Sequence, residues 1–174
     1  MIRIPRRLLP LIGMSLLLIG TASQAAAPSP SVDAPALKIG IIGTGRIGSA
    51  LARHWARAGH EVFISSRHPE QLKELAAELG PKARVGTPKE AAAFGQVVLV
   101  SVPYSAMPQI GKDYAAELAG KIIIDTSNPR EPRDGAMAAE AARKGAGVAT
   151  AEFLNNKRIV RAFNCIGFNS LAND

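Results

Sequence analysis

Residues 38–48 read Lys-Ile-Gly-Ile-Ile-Gly-Thr-Gly-Arg-Ile-Gly, an apolar run that leads directly into the pattern Gly43-x-Gly45-x-x-Gly48. Glycines at this spacing between a strand and a helix form the loop that binds the pyrophosphate of a dinucleotide. The first glycine makes a tight turn, the second lets the backbone approach the pyrophosphate, and the third lets the helix pack closely on the strand. The pyrophosphate is expected to bind the free N–H groups at the start of that helix.

Beyond this loop, apolar runs alternate with segments of helical periodicity. Ile47, Leu51 and Trp55 recur at four-residue spacing, which predicts the buried face of the first helix. We expect strands at 38–42, 61–65, 83–86, 97–102, 121–125 and 158–163, and helices at 46–58, 69–79, 88–94, 107–118, 137–144 and 150–155. This alternation predicts an α/β fold with a doubly wound, mainly parallel sheet, the Rossmann fold, in three α/β/α layers.

The residues after the second predicted strand bear on the choice between NAD and NADP. In many such domains an Asp or Glu about 20 residues beyond the glycine loop binds the ribose 2′-hydroxyl of NAD. Here the corresponding positions hold Ser65, Ser66 and Arg67. Arg67 can bind a 2′-phosphate through paired hydrogen bonds and Ser66 can donate another, whereas a carboxylate would repel it. We therefore expect NADP(H); the alternative is a solvated turn with an incidental arginine.

Polar and turn-forming residues follow three later strands. They are Ser101-Val102-Pro103-Tyr104, Asp125-Thr126-Ser127-Asn128-Pro129 and Phe163-Asn164-Cys165. One interpretation is that these residues simply end strands and make turns. Because the carboxyl ends of parallel strands share one edge, the other is that they form a trough for the ribose and nicotinamide. No catalytic dyad or metal site is expected, since Asp125 and the three histidines occur in contexts that suit structural roles.

Residues 1–27 have the order of a secretory signal peptide. Three arginines precede an apolar run over residues 8–19, and small residues follow, which predicts cleavage after Ala25 or Ala27. The alternative is a membrane anchor, but the run is shorter than the about 20 residues that a spanning helix needs. We therefore expect no stable membrane span after cleavage and export to the periplasm, by either the twin-arginine or the Sec route.

Composition limits the remaining possibilities. Residues 28–36 are rich in Ala, Pro and Ser and predict a flexible leader, so the NADP-binding domain is expected over 37–174. The formal charge of +7 suits a phosphate-bearing ligand, but no basic run with interleaved aromatics indicates nucleic-acid binding. Cys165 is the single cysteine of the 174 residues, so no intrachain disulfide is possible.

Several of these stretches together resemble the deazaflavin-dependent NADP oxidoreductases. That group includes NADPH:deazaflavin reductase and the cytosolic domain of the metalloreductases called six-transmembrane epithelial antigens. The motifs that carry the resemblance are Gly43-Thr-Gly-Arg-Ile-Gly48, Ser66-Arg67, Val102-Pro103, Ser127-Asn128-Pro129 and Arg161-Ala-Phe-Asn164, spread over about residues 37–169. The resemblance implies that NADPH binds across the strand ends and passes hydride to a flavin or deazaflavin ring stacked on the nicotinamide.

The resemblance also implies roles for particular residues. It places the pyrophosphate at Thr44, Arg46 and Ile47 and the 2′-phosphate at Ser66 and Arg67. It places the ribose and nicotinamide near Val102, Pro103, Ala106, Asn128 and Pro129, and the acceptor near Asn164 and Cys165. Family members continue beyond the point that corresponds to Asp174, with elements that contact a partner subunit and help to form the acceptor site. Two hypotheses follow. The first is an NADPH-dependent reductase of a small-molecule acceptor, which would work as a homodimer or with a partner protein. The second is a non-catalytic NADP-binding module or half of a two-component reductase.

Overall fold

The structure is a computed structural model that describes residues 35–173. The predicted signal peptide and most of the predicted leader lie outside the described residues. Six parallel strands form one sheet in the order β3-β2-β1-β4-β5-β6. The strands are β1 (Lys38–Ile42), β2 (Glu61–Ser65), β3 (Ala83–Gly86), β4 (Val97–Val100), β5 (Ile122–Asp125) and β6 (Ile159–Arg161). This is the Rossmann strand order, and the order reverses between β1 and β4.

Nine helices connect or follow the strands within the described residues. They are α1 (Arg46–Arg57), α2 (Lys73–Leu79), α3 (Pro88–Phe94), α4 (Met107–Asp113), α5 (Ala115–Leu118), α6 (Glu131–Asp134), α7 (Ala136–Lys144), α8 (Ala146–Phe153) and α9 (Phe168–Asn173). Single turns of 3₁₀ helix precede α2 at Pro69–Leu72 and α4 at Tyr104–Ala106. In the part of the chain described, no helix has the length and apolar character needed to span a membrane.

Two hydrophobic cores lie on opposite faces of the sheet, which confirms the three-layer prediction. The alternation of side chains along β4 sends Leu99 into the core under α1, α2 and α9, and Val98 and Val100 into the other core. That second core is covered mainly by α3, α4, α5, α7 and α8. Leu51 on α1 is 2% exposed and belongs to the first core, where Ile47 and Trp55 pack against it as the four-residue spacing predicts.

Local sequence explains where several elements begin and end. Thr87 starts α3 with a capping box: its hydroxyl accepts a hydrogen bond from the N–H of Glu90, whose carboxylate accepts one from the N–H of Thr87. The predicted strand at 97–102 ends earlier, at Val100, because the chain turns at Ser101–Pro103. The predicted helix at 107–118 divides into α4 and α5, since Tyr114 leaves helical geometry with φ −122° and ψ 22°.

The last third of the chain differs most from the predicted elements. The predicted helix at 150–155 is α8, which begins four residues earlier at Ala146 and ends at Phe153. The strand expected at 158–163 is shorter, Ile159–Arg161. Two helices, α6 and α9, were not predicted at all. α6 lies close to the carboxyl ends of the strands, and α9 lies close to α1. Both helices contribute to the candidate site.

Candidate functional site

A cleft opens at the carboxyl ends of the strands, above the point where the strand order reverses. It has two lobes that share Gly45 and the segment Ser101–Pro103. One lobe, of about 1020 Å³, extends past the end of β2 and is here called the β2 lobe. The other, of about 580 Å³, extends past β5 and β6 and is here called the β6 lobe. Ligands of doubly wound sheets bind at this position.

The glycine loop joins β1 to α1 in a conformation that requires glycine at two positions. Gly43 has φ +93°, and a Cβ there would overlap the carbonyl oxygen of Ser101. A Cβ at Gly48 would overlap the carbonyl oxygen of Gly43, so α1 packs closely on the loop. Around Gly45, in contrast, a Cβ would meet no atom within 4 Å. The loop therefore leaves open space in front of Gly45, which lines both lobes.

Two side chains hold this loop against the neighbouring strand. The hydroxyl of Thr44 donates to the carbonyl oxygen of Ser65 at 2.9 Å, and the Thr44 N–H donates to the same oxygen at 3.2 Å. The buried Ser65 hydroxyl donates to the carbonyl oxygen of Ile41 at 2.6 Å. Thr44 thus positions the loop, and Ser65 has an anchoring role that we did not predict. A serine that closes an otherwise apolar strand is the sequence signal for it.

The N-terminus of α1 faces the cleft with unpaired donors. Its N-cap is Gly45, which offers no side chain to accept from the first turn, and no acidic residue lies in that turn. The first intrahelical hydrogen bond joins the Ser49 N–H to the Gly45 carbonyl at 2.8 Å. The N–H groups of the residues before Ser49 have no acceptor within the helix. Together with the helix dipole, they make an anion site in the open space at Gly45.

The β2 lobe contains the residues predicted to select the 2′-phosphate. Ser66, Arg67 and Ala106 line it together with the glycine loop. The Ser66 hydroxyl accepts a hydrogen bond from the His68 N–H at 2.8 Å, which fixes the turn after β2. Arg67 is exposed, and among the described residues no carboxylate lies within ion-pairing distance of it. Leu72, Pro88, Ile110 and Tyr114 also line this lobe, together with the polar side chains of Gln71, Gln109 and Asp113.

On the other side of the cleft, Asp125 organises the ends of β5 and β6. This fully buried carboxylate accepts hydrogen bonds from the N–H and hydroxyl of Ser127, at 2.7 and 2.6 Å, and from the Thr150 hydroxyl at 2.9 Å. Arg161 forms an ion pair with it at 3.2 Å and also donates to the Ser127 carbonyl at 2.9 Å. All its partners are structural, so Asp125 shapes the β6 lobe and does not enter it.

The two predicted asparagines meet in this lobe. The side-chain amide of Asn128 donates to the carbonyl oxygen of Asn164 at 2.7 Å, and that of Asn164 donates to the Ser127 carbonyl at 2.8 Å.

The structure brings together most of the predicted site residues in the two lobes. Gly43, Thr44, Ser66, Arg67 and Ala106 line the β2 lobe, Arg46, Ile47, Asn128, Asn164 and Cys165 line the β6 lobe, and Gly45, Val102 and Pro103 line both. Gly48 and Pro129 line neither.

A hydrogen-bond network around Asp134 connects two loops of the cleft, and the sequence did not predict it. The buried carboxylate of Asp134 in α6 accepts from the backbone N–H groups of Ser105 and Arg130, at 3.1 and 2.8 Å. Arg133 donates to both of its oxygens, at 2.9 and 2.7 Å, and to the Asn128 carbonyl at 2.8 Å. The Arg133 guanidinium holds the pKa of Asp134 well below its ordinary value of 3.8. This carboxylate therefore joins the loop after β4 to the loop after β5.

The C-terminal segment closes the β6 lobe from the side of α1. Residues 163–168 line that lobe, and Phe163 has the unusual φ of +62°. The ring of Phe168 lies under the guanidinium of Arg46, with 4.6 Å from Cζ to the ring centroid. Leu171 is 7% exposed, and its carbonyl accepts a hydrogen bond from His54 Nε2 at 2.6 Å. Arg46, predicted beside the pyrophosphate, is thus held on the aromatic ring of α9.

Apart from arginines, the titratable side chains that line the cleft are His68, Asp113 and Tyr114 in the β2 lobe and Cys165 in the β6 lobe. Tyr104 follows Pro103, but it is fully buried, and its burial raises the pKa of its phenol. Among the described residues no cluster of His, Cys, Asp and Glu could hold a metal ion. Cys165 is exposed and lines the β6 lobe. Since no His, Asp, Glu or Lys is among the residues that line the β6 lobe, that lobe suits alignment of a bound molecule more than proton transfer by a side chain.

Comparison with known proteins gives a consistent result. The model of the family described as NADP oxidoreductase, coenzyme F420-dependent, matches residues 38–129, more than half of the chain. The F420-dependent NADP reductase of Methanothermobacter marburgensis is 31% identical over 148 residues, which cover 78% of this chain and 66% of that protein. The metalloreductase STEAP3 of Rattus norvegicus is 35% identical over 103 residues, which cover 58% of this chain and 20% of that protein. The chain thus spans a fifth of one relative and about two thirds of the other.

A solved structure supports the fold. A protein of Arthrobacter sp. FB24, provisionally described as an F420-dependent NADP reductase, superimposes with a TM-score of 0.66. The two chains are 24% identical, and the match covers 76% of this chain and 64% of that one. At that identity the likeness establishes the Rossmann architecture and nothing finer.

Proposed function

The chain belongs to the family of coenzyme F420-dependent NADP oxidoreductases, and on that premise we propose that its cleft binds NADPH in the β2 lobe and aligns it with a flavin or deazaflavin ring in the β6 lobe. Bound NADPH would give a hydride to the acceptor and become NADP⁺. The acceptor, reduced by two electrons, would then take one proton from solvent. The protein supplies binding and alignment. The relatives' names, F420-dependent NADP reductase and metalloreductase, support reduction of a small-molecule acceptor.

The observation that carries the proposal is the open space at Gly45 in front of the uncapped N-terminus of α1. A pyrophosphate fits there because no side chain fills the space and the N–H groups of the first helical turn need acceptors. Any side chain at Gly45 would occupy the position of the phosphates. The fixed backbone of Gly43 and the Thr44–Ser65 hydrogen bonds keep this cradle in shape before the cofactor arrives.

The preference for NADP over NAD is proposed from the end of β2. Arg67 is exposed on the rim of the β2 lobe with its charge uncompensated by the described carboxylates, and Ser66 lies beside it. A 2′-phosphate there would gain charge-assisted hydrogen bonds, which contribute about 1.5–3 kcal/mol each. The apolar side chains of Leu72, Pro88 and Ile110, which line the same lobe, suit the adenine ring.

The nicotinamide is proposed to lie where the two lobes meet. Val102 and Pro103 line both lobes and would pack on one side of the ring, and Asn128 and Asn164 lie beyond them. The Asp125 network fixes the loop after β5, and the Asp134 network joins it to the loop after β4. Loops held in this way would support the alignment of two bound rings. The proposed acceptor occupies the space between these loops and residues 163–168.

The test is turnover with a panel of acceptors. Purified protein is mixed with NADPH and with FMN, riboflavin, an 8-hydroxy-5-deazaflavin or ferric citrate, and the loss of nicotinamide absorbance is followed. We expect turnover with at least one ring acceptor, a lower rate with NADH, and loss of turnover in Gly45→Val, in which a side chain fills the cradle. Tight NADPH binding without turnover on any acceptor would instead support the non-catalytic NADP-binding module or half of a two-component reductase.

Export to the periplasm remains a proposal from the N-terminal sequence. The arginine-rich start, the apolar run and the small residues before Ala27 support it. Fractionation of cells that produce the full chain, followed by N-terminal sequencing, tests it. A periplasmic protein that begins at Ala26 or Pro28 is expected, and a cytoplasmic protein that retains Met1 would refute it.

A further inference from the structure

We infer that Phe168 of α9 is a positioning residue for the cofactor: its ring holds the guanidinium of Arg46 where a dinucleotide pyrophosphate binds, so that α9 and the cofactor stabilise each other. The inference rests on the proposed function and goes beyond it, because it gives the C-terminal helix a part in cofactor affinity. Arg46 is the first residue of α1. It lines the β6 lobe together with Phe168 and with Gly45, at which the pyrophosphate is proposed to bind.

The charge of Arg46 is placed unfavourably with respect to the dipole of α1. The N-terminus of a helix carries a partial positive charge, which favours an acidic side chain there and disfavours a cation. The first turn of α1 contains no acidic residue, and Arg46 is its one charged side chain. Among the residues that the structure describes, no carboxylate forms an ion pair with Arg46. The start of α1 therefore concentrates positive charge that a bound pyrophosphate would offset.

The ring of Phe168 fixes the position of this cation. The Cζ atom of Arg46 lies 4.6 Å from the ring centroid, which is within the range of a cation–π contact. When a guanidinium stacks on an aromatic ring, its N–H donors, which lie in its own plane, stay free to bind an anion. The contact also restricts the rotamers of Arg46 before the cofactor arrives, so that less conformational entropy is lost on binding.

α9 is anchored on α1 at a second point, away from this contact. Leu171 is buried in the core on the α1 side of the sheet. Its carbonyl oxygen accepts a hydrogen bond at 2.6 Å from Nε2 of His54, about two helical turns beyond Arg46. Phe168 and Leu171 are three residues apart, so they lie on the same face of α9. Docking of α9 on α1 therefore brings the ring to the guanidinium.

This arrangement couples α9 to the cofactor in both directions. If the ring strengthens the binding of pyrophosphate to Arg46, bound pyrophosphate must strengthen the contact between Arg46 and Phe168 by the same factor. Loss of the ring should therefore lower the affinity for a dinucleotide. Conversely, a bound dinucleotide should protect the backbone amides of α9 from hydrogen exchange.

Two nucleotides separate the pyrophosphate from the rest of the cofactor. 2′-Phospho-ADP-ribose retains the pyrophosphate and lacks the nicotinamide, whereas 2′-AMP lacks both. Calorimetry measures the binding of these two molecules and of NADPH to the wild type, Phe168→Leu and Phe168→Tyr. We expect Phe168→Leu to bind NADPH and 2′-phospho-ADP-ribose about fivefold more weakly and 2′-AMP unchanged. Phe168→Tyr keeps an aromatic ring and should bind all three as the wild type does.

The chain offers a matched control for the loss of an aromatic ring. Phe94 of α3 also lies under an arginine, with 5.0 Å from the Cζ atom of Arg84 to the ring centroid. It lines neither lobe of the cleft. Phe94→Leu should therefore leave the affinity for all three nucleotides unchanged.

A double-mutant cycle shows whether Phe168 acts through Arg46. In an Arg46→Ala background, Phe168→Leu should cause no further loss of NADPH affinity. NADP⁺ should slow hydrogen exchange of the α9 amides in the wild type and in the control Arg143→Ala, but much less in Arg46→Ala. Arg143 is an exposed arginine of α7 that lines neither lobe. Arg46 is exposed as well, and alanine favours helix, so Arg46→Ala is expected to fold.

These measurements use binding and need no turnover, which separates the inference from the proposed activity. Wild-type protein that binds NADPH and reduces no acceptor would refute the reductase, whereas ring-dependent affinity for 2′-phospho-ADP-ribose would still support the role of Phe168. Three results would overturn the inference: unchanged NADPH affinity in Phe168→Leu, equal weakening of 2′-AMP, or an equal effect of Phe168→Leu in the Arg46→Ala background. If Phe168→Leu does not fold, hydrogen exchange decides, since equal protection of α9 by NADP⁺ in the wild type and Arg46→Ala would also overturn it.

Discussion

Arg67 lies exposed at the end of β2, where a carboxylate would be expected in an NAD-binding domain. Because Ser65 is buried and anchors the glycine loop, the two residues that follow it are held at the rim of the β2 lobe. Under the proposed function, a preference for NADP would depend on a few side chains, whereas the shape of the pyrophosphate site would depend on backbone. Separate substitutions can test the two contributions.

Arg67→Glu should weaken NADPH binding far more than NADH binding. The variant loses a charge-assisted hydrogen bond and adds repulsion toward a 2′-phosphate, so we expect a cost of about 2–3 kcal/mol for NADPH. Titration of nicotinamide fluorescence with wild type, variant and the control Arg143→Glu measures this. If the variant weakens NADPH and NADH equally, the assignment of the 2′-phosphate to Arg67 is wrong.

Substitutions at Gly45 and Gly48 should have opposite effects. Gly45→Ala adds a Cβ into open space at φ −82°, so the free energy of unfolding should change by less than about 1 kcal/mol while NADPH affinity falls about tenfold or more. Gly48→Ala places a Cβ on the Gly43 carbonyl oxygen and should destabilise the fold by about 1–3 kcal/mol. Urea unfolding and NADPH titration of both variants give the comparison. A large fall in the free energy of unfolding in Gly45→Ala would contradict the open space in front of Gly45.

At the scale of elements, α6 has only four residues but connects two loops of the candidate site. Through Asp134 it joins the loop after β4, which lines both lobes, to the loop after β5, which lines the β6 lobe. A buried carboxylate that accepts four hydrogen bonds is costly to break, because its partners would be left unpaired.

The contribution of Asp134 to stability should depend on pH. Because the Arg133 guanidinium lowers the pKa of Asp134 in the folded protein below its ordinary 3.8, folding keeps the carboxylate ionised. The resulting stabilisation is complete above about pH 5 and is lost as the pH falls below 4 toward the folded-state pKa. Unfolding free energies between pH 6 and pH 3 should fall less steeply in Asp134→Asn than in the wild type, although the variant is less stable at pH 6. Parallel profiles would show that Asp134 does not carry this pH dependence.

Periodicity predicted the elements whose structure is determined by their own apolar residues. β1, β2 and β3 and the helix α3 have the predicted bounds, because short apolar runs, a capping threonine and glycines mark them. α6 could not be found this way: it has four residues, contains Pro132, and depends on the acceptors that Asp134 provides for Ser105 and Arg130. α9 was missed for a similar reason, since it is held by the packing of Leu171 on the α1 side of the sheet.

The same division applies to the candidate site. The glycine loop and Ser66–Arg67 were predictable because local sequence encodes the turn and the charge. The stacking of Arg46 on Phe168 joins residues 122 positions apart, and no local pattern signals it. Likewise, the pairing of Asn128 with Asn164 depends on the adjacency of β5 and β6.

At the scale of the whole molecule, the position of the cleft follows from strand order. Six parallel strands in the order β3-β2-β1-β4-β5-β6 open a cleft between β1 and β4, and every loop that lines it leaves the carboxyl end of a strand. The glycine loop lies at the centre, with the β2 lobe, proposed to hold the 2′-phosphate, on one side and the β6 lobe, proposed to hold the acceptor, on the other. Two ligands can thus meet above the middle of the sheet.

The most direct test of this account is calorimetric titration of the full chain with NADPH, NADH and 2′,5′-ADP. The proposed site predicts binding of NADPH, binding of NADH at least about tenfold weaker, and measurable binding of 2′,5′-ADP, since that molecule retains the phosphate expected at Arg67. A well-folded protein that gives no heat with any of the three, or that binds NADH as tightly as NADPH, would contradict it.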